Sequence, residues 1–393
     1  MKYTKAVYLD GASNTPIDKK VIKAMKPYLS SKFVGNSMAS HNHGSIANAA
    51  IAEARKVIEE NIGVAYDNFR VYFTSGATES NNWVIKSIVI NYLTGKTDRD
   101  LILCSKQEHS SIINACKQAE QLGMRVQYID PFFEIEFEEL SKVALICMMA
   151  VNNETGSANQ GQELARKAQK YNIPTLIDCT QYISLGGSYM FICREFSEAT
   201  FLTFSGHKIY GPTGTGILAV STRSKELLHP LIIGGGQEQG LRGGTSNTAA
   251  IVGLAEAVKL MSEHSYLTHY RHLFHYLTEQ LSEKLPGAFY NVWPDHQNII
   301  SINCACVINC AKLQEMNTDL ANLLAVLYNI DVSAGSACDT NQDDKINYSH
   351  VLLSLGLSDL DILGTIRVSF TKYTTIKDID KLINSLLELQ SQL

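Results

Sequence analysis

Short apolar runs rich in β-branched residues recur from about residue 71 to residue 220 and alternate with amphipathic stretches of helical period. That alternation predicts a mostly parallel sheet covered by helices. The strands fall at residues 71–73, 101–104, 126–129, 143–149, 175–177, 200–204 and 217–220. Beyond Gly243 and Gly244 a long helical pattern starts near Asn247, breaks around Met261 and runs toward Leu285, where Pro286 and Gly287 stop it. The remainder mixes the two periods, with strands at 299–308 and 365–370 and helices at 312–328 and 376–389, as in a smaller α+β domain.

At 393 residues the chain exceeds what one small core organises, in keeping with a large domain and a smaller companion. A net charge of -5 without a clustered basic face excludes a general affinity for nucleic acid, which needs phosphate neutralisation. No apolar run reaches the roughly 18 residues of a membrane span, and the first ten residues hold no apolar signal core, so a cytoplasmic protein with no membrane partner is expected. Nine scattered cysteines, an odd number, suit a reducing compartment better than a disulfide framework. Cys304, Cys306 and Cys310 invite a metal reading, but their apolar surroundings favour cysteine as a small hydrophobe, and no metal is expected.

Ligands of open parallel sheets gather beyond the carboxyl ends of the strands, so the residues that follow each strand are the candidates for chemistry. The most telling is Lys208, in Ser205-Gly206-His207-Lys208 after the run 199–204: a desolvated amine on a fixed backbone can form a Schiff base, although a surface lysine opening a loop would look the same. After 71–73 comes Thr74-Ser75-Gly76-Ala77-Thr78-Glu79, a hydroxyl-rich turn that could cradle a phosphate at a helix start or could be a plain helix cap. His109 follows the next strand and could stack on a flat ring or lie in solvent. Asn152 and Asn153 follow 143–149. Asp178 ends the strand at 175–177, with Gln181 just beyond; a carboxylate there is costly unless a cation such as a protonated pyridine nitrogen meets it. Five groups of the kinds that bind and activate pyridoxal phosphate thus follow strand ends in one series.

At this point the chain resembles a known family, the cysteine desulfurases of the aminotransferase class V group, built on the fold-type I pyridoxal-phosphate scaffold. The likeness rests on Tyr8-Leu9-Asp10, the segment from Phe73 to Asn82, Val151-Asn152-Asn153-Glu154, Ser205 to Pro212, Gly234-Gly235-Gly236-Gln237-Glu238, Leu241-Arg242-Gly243-Gly244-Thr245, Ser333 to Cys338 and Ile366-Arg367. It implies an α/β fold with a large cofactor-binding domain over residues 16–260 and a smaller α+β domain from residues 1–15 with 261–393. It implies pyridoxal 5'-phosphate held covalently by Lys208, its ring nitrogen paired with Asp178, its ring hydroxyl bonded by Gln181 and its face stacked on His109. Thr78, Ser205 and His207 would bind the phosphate, and Thr245 would reach the phosphate of a second subunit, making a homodimer part of the site. Arg367 would grip the carboxylate of the substrate, L-cysteine, with help from Asn153.

Cys338 decides which reaction the scaffold runs. The resemblance makes it the nucleophile that takes sulfur from L-cysteine, leaving L-alanine and a persulfide to be collected by a sulfur-acceptor protein, as in iron-sulfur cluster assembly. An ordinary thiol has a pKa of about 8.5, and Asp339, Asp343 and Asp344 would raise it if close, so either the site interior activates it, through His109 or the substrate, or turnover is slow. The acidic loop also suggests an acceptor with a basic docking face. Selenocysteine lyase or another β-eliminating enzyme is the alternative on the same scaffold; a docking subunit of a sulfur-transfer or nucleic-acid-modification assembly, with little activity of its own, is the alternative of another kind. The segment Asp10-Gly11-Ala12-Ser13-Asn14-Thr15-Pro16 departs from the family pattern, which has asparagine, serine or tyrosine after the aspartate and a paired threonine before the proline. Substrate preference is what that departure puts in question.

Overall fold

The structure is a computed structural model that describes residues 6–65, 68–131, 140–291, 299–304, 307–316, 318–334 and 348–393. The chain divides into two units, one of Thr15–Val151 with Asn159–Ser265 and one of Met1–Asn14 with Asn152–Ala158 and Tyr266–Leu393. The seven residues Asn152–Ala158 group with the second unit, which a division into contiguous stretches does not include.

In chain order the strands are β1 (Val7–Tyr8), β2 (Phe69–Thr74), β3 (Leu101–Ser105), β4 (Arg125–Ile129), β5 (Val143–Met149), β6 (Thr175–Asp178), β7 (Phe201–Ser205), β8 (Gly216–Ser221), β9 (Phe289–Asn291), β10 (Ile299–Asn303), β11 (Ile330–Asp331) and β12 (Thr365–Ser369). The first unit holds a seven-stranded sheet in the order β2-β8-β7-β6-β5-β3-β4. All its neighbouring strands run parallel except that β8 is antiparallel to both β2 and β7. The reason lies in the connection: Gly206–Thr215 is too short for a parallel crossover, which takes a dozen or more residues. Every residue of β3, β5, β6, β7 and β8 is buried, as strands covered on both faces require.

Helices cover this sheet, and the one that matters most for the site is Ala77–Leu93. Its face of Trp83, Val84, Ile85 and Ile88 packs into one cluster with Ile102, Leu145, Leu176, Phe201 and Leu218 from the strands. Trp83 is fully buried, stands edge-on to Tyr72 and donates its Nε1–H to the carbonyl of His229 at 2.6 Å. Gly216 lets β8 run beside the turn before this helix, since a Cβ there would lie 2.6 Å from Gly76 Cα and 2.6 Å from the Phe204 carbonyl oxygen.

The second unit carries the antiparallel sheet β12-β10-β9 and the parallel pair β1-β11. Two of its helices begin with reciprocal caps, Ser358 with Asp361 and Thr375 with Asp378. The last helix, Ile376–Gln392, buries Ile379, Leu382, Ile383, Leu386 and Leu389. Two expected elements differ. The strand at 299–308 ends at Asn303, and the helix at 312–328 is two helices, Cys310–Glu315 and Leu320–Tyr328, because Asp319 caps the second by accepting from the Asn322 N–H at 2.6 Å. Among the described residues no helix is long and apolar enough to cross a membrane.

Candidate active site

Within the first unit, β7 ends on Ser205 and passes into a single 3₁₀ turn, Gly206–Lys208. Thr15 fixes that turn: its N–H and its hydroxyl both donate to the His207 carbonyl, at 2.9 and 2.7 Å, and its hydroxyl oxygen accepts from the Tyr210 N–H at 2.7 Å. Lys208 and His207 are partly exposed there. Burial, with the charges of Lys208 and His109 adding to it, pushes the His207 imidazole down to about 4, so it is neutral at physiological pH.

Beside this turn the helix Ala77–Leu93 begins. Its cap, Gly76, offers no side-chain acceptor, and the Ala77 N–H is met from outside by Ser205 Oγ at 2.8 Å. Thr78 is exposed in the first helical turn. Glu79 accepts from the Ser75 N–H at 2.9 Å and forms a two-point pair with Arg242 at 2.9 and 3.2 Å. Burial alone would raise the Glu79 carboxyl, but Arg242 and Ser75 together hold it below the usual range. Thr245 is exposed and lines, with Thr74, Ser75, Arg242 and Ser246, a cavity of about 220 Å³. The result is a rim of hydroxyls and backbone donors at a helix start, an environment suited to a phosphate.

Asp178, at the end of β6, is 5 % exposed and accepts from the Thr180 N–H at 2.9 Å and from Asn81 Nδ2 at 3.0 Å. Its donors are neutral, and no basic side chain pairs with it among the described residues. A buried carboxylate with that surrounding is completed by a cation, which a protonated ring nitrogen supplies. Gln181 is buried just beyond, at the start of the 3₁₀ helix Tyr182–Leu185. His109 caps the helix Ser110–Gln121, its Nδ1 within 2.8 Å of Ser111 Oγ. The residues of this unit therefore fit pyridoxal phosphate at both ends, ring nitrogen and phosphate.

Two buried groups here escaped the sequence reading. Asn81 is fully buried; its Nδ2 donates to Asp178 and to Ser111 Oγ at 3.1 Å, and its Oδ1 accepts from the Thr203 hydroxyl at 2.9 Å. The available signal was its place three residues after Thr78, on the helical face that Val84, Ile85 and Ile88 bury. Glu108 is also fully buried, its Oε1 accepting from the Met149 N–H at 2.7 Å. Burial, reinforced by the nearby Asp178 charge, pushes its carboxyl well above the usual range against the pull of that N–H.

The second unit holds Asn153 and Arg367. Arg367 lies on β12, 3 % exposed, and its Nη1 donates to the Asn153 carbonyl at 2.9 Å. Its backbone pairs with Ser333, whose N–H donates to the Arg367 carbonyl at 3.2 Å while the Arg367 N–H donates back at 2.6 Å. Cys338 lies outside the described residues, as do Asp339, Asp343, Asp344 and Cys306. Of the described cysteines, Cys104, Cys116, Cys147, Cys179, Cys193 and Cys304 are buried and Cys310 is partly exposed. Burial pushes Cys304 up to about 12 and holds Cys147, Cys179 and Cys193 well above the thiol range, leaving them inert. No group of three or more His, Cys, Asp or Glu among the described residues could hold a metal ion.

The family model of aminotransferase class V matches residues 7–382. The cysteine desulfurase IscS of Rickettsia typhi is 32 % identical over 390 residues, covering 97 % of this chain and 90 % of its own. Among solved structures, a NifS-like protein superposes with a TM-score of 0.81 at 29 % identity, covering 99 % of this chain and all of that one. SspA in complex with cysteine superposes with a TM-score of 0.75 at 28 % identity over 94 % of this chain and 99 % of its own.

Proposed function

The chain belongs to the class V aminotransferases, among the cysteine desulfurases, and on that premise we propose that it takes sulfur from L-cysteine, releases L-alanine and holds the sulfur as a persulfide on Cys338 for an acceptor protein. The observation that carries the cofactor assignment is Asp178, a buried carboxylate with neutral donors and no basic partner among the described residues, in the unit whose strand β7 runs into the turn bearing Lys208. Pyridoxal phosphate, when bound, supplies an electron sink that loosens the bonds at the α-carbon of an amino acid and the bond to its β-sulfur.

The protein's own residues supply the rest. Asp178, held by Asn81 and Thr180, would pair with the protonated ring nitrogen; Gln181 and His109 would orient the ring, and Thr78, Ser205 and neutral His207 would meet the phosphate. Lys208 would hold the cofactor through its amine, and that amine, beside the bound substrate, would take the proton from the α-carbon and return protons to the alanine skeleton. Arg367 grips the carboxylate, with Asn153 steadying the guanidinium through its backbone carbonyl. The Cys338 thiolate attacks the substrate sulfur; an S–S bond forms, the substrate Cβ–S bond breaks, and no outside oxidant or reductant is needed.

Cys338 is the nucleophile in this reading because the segment from Ser333 to Cys338 matches the family's nucleophile loop, and six of the seven described cysteines are buried. Five peptide steps, spanning at most about 17 Å, link it to Ser333, which is paired with Arg367. A homodimer, with Thr245 serving a second copy's phosphate, a cytoplasmic setting and an acceptor with a basic face opposite Asp339, Asp343 and Asp344 complete the proposal. Alanine and sulfide are measured with and without a thiol reductant for the native enzyme and Cys338→Ala. The native enzyme is expected to release both with the reductant, and the variant to release little sulfide while keeping the cofactor's visible spectrum. Full sulfide release by the variant would assign the reaction to a β-eliminating enzyme instead.

A further inference from the structure

Arg367 has five N–H donors, and the second unit already engages three of them. Nη2 donates to Asp10 Oδ1 at 2.7 Å and to Ser13 Oγ at 2.6 Å, and Nη1 donates once to the Asn153 carbonyl. Ser13 closes the ring by donating its hydroxyl to Asp10 Oδ1 at 2.9 Å. The Arg367 side chain is 4 % exposed, yet its Nε has no acceptor among the described residues. A buried, open donor of this kind marks a place for an anion.

A carboxylate that binds the Nε edge of a guanidinium takes Nε–H together with one hydrogen of Nη2. Both Nη2 hydrogens are held. We propose that Asp10, with Ser13, occupies part of the seat that the substrate's carboxylate takes on Arg367, so that Asp10 is a built-in competitor and Asp10 and Ser13 together set carboxylate affinity. This rests on the reading of Arg367 as the substrate anchor and extends it to the altered N-terminal segment. The incoming carboxylate displaces the neutral Ser13 contact, and the Asp10 charge remains beside it and opposes it. When the amino acid leaves, Ser13 returns to the buried guanidinium beside Asp10, which favours release of product.

The placement of Asp10 is structural. Its backbone bridges to Ser369, two residues beyond Arg367 on β12; the Gly11 N–H donates to the Ser369 carbonyl at 3.0 Å and the Ala12 N–H to Ser369 Oγ at 2.9 Å. Glycine is required at position 11, where a Cβ would lie 2.5 Å from the Phe370 carbonyl oxygen. That close approach seats Asp10 against Arg367 and accounts for the lack of a larger residue after the aspartate.

The test is calorimetric titration of the holoenzyme with L-alanine, which keeps the carboxylate and lacks the reactive sulfur, and with L-alaninamide, which lacks the carboxylate. Asp10→Asn is expected to tighten L-alanine binding about tenfold and Ser13→Ala about threefold, with L-alaninamide unchanged in both. Ligand-free Asp10→Asn is expected to melt lower and to gain more from added L-alanine than the native protein does. Unchanged or weaker L-alanine binding in both variants overturns the competition, and Ser13→Ala decides it if Asp10→Asn does not fold. Arg367→Ala separates the two levels. If it abolishes the preference for L-alanine over L-alaninamide while Asp10→Asn and Ser13→Ala change nothing, competition alone fails; if it leaves the preference intact, the substrate anchor and the competition fail together.

Discussion

Replacing Asn81 by alanine removes the side chain that ties the Asp178 carboxylate to the helix carrying Thr78. Three hydrogen bonds are lost, but they do not weigh equally. Ser111 Oγ keeps its contact with His109 Nδ1 at 2.8 Å, so its loss is small. Thr203 is fully buried, and its hydroxyl loses the acceptor it has in Asn81. Among the described residues Asp178 then keeps the Thr180 N–H. An orphaned buried hydroxyl costs about 1–3 kcal/mol and a lost bond to a charged group about 1.5–3 kcal/mol, so Asn81→Ala should lower stability by about 4 kcal/mol. For a unit of this size that is about 10 °C in melting temperature. Because Asp178 then loses the donor that orients one of its oxygens, pyridoxal phosphate should also bind about tenfold more weakly, equivalent to about 1.4 kcal/mol. Denaturant unfolding and titration of the apoenzyme with cofactor, followed by visible absorption, give the two numbers. Asn81→Asp is the sharper control, since it keeps the volume but sets a second carboxylate against Asp178 and should lower cofactor affinity further. If Asn81→Ala stays within about 0.5 kcal/mol of the native protein and binds cofactor equally well, the assignment of Asn81 as the support of Asp178 is wrong.

Glu108 supplies a pH signature: its folded carboxyl is raised above its unfolded value, so the folded state holds the extra proton and this contribution to stability is complete below about pH 4 and is lost as pH rises through the folded value. Glu108→Gln, which mimics the protonated acid and can still accept from Met149 N–H, should therefore gain stability over the native protein with increasing pH; parallel melting curves from pH 5 to 9 would remove Glu108 as a buried acid. Gly216→Ala forces a methyl against Gly76 Cα and the Phe204 carbonyl, both backbone, and should cost about 1–3 kcal/mol while weakening cofactor binding through the displaced turn. A stable Gly216→Ala protein with native cofactor affinity would show that the turn before Ala77 has slack.

The central sheet was legible because β3, β5, β6, β7 and β8 are buried on both faces and so read as unbroken apolar runs. The reversal at β8 was written in the short Gly206–Thr215 connection, though strand patterns alone do not carry direction. The break before Leu320 was marked by Asp319, a cap at the start of the apolar run 320–328 inside a stretch that otherwise reads as one helix. By contrast, the grouping of Asn152–Ala158 with the second unit depends on contacts remote in sequence. In the site, Asp178, Ser205 and Lys208 stood out because polar residues at the ends of buried strands have few structural reasons to be there. Asn81 and Glu108 did not, since a polar residue on a helix or in a loop is expected to face water, and only packing reveals that these two do not.

The most direct test is a peptide mass map of the holoenzyme after incubation with one equivalent of L-cysteine under non-reducing conditions, with alanine measured in the same sample. The account predicts an added sulfur atom on the peptide containing Cys338, none on peptides containing the buried cysteines, and alanine in equal amount. Alanine formed with Cys338 unmodified, or sulfur on another cysteine alone, would contradict it.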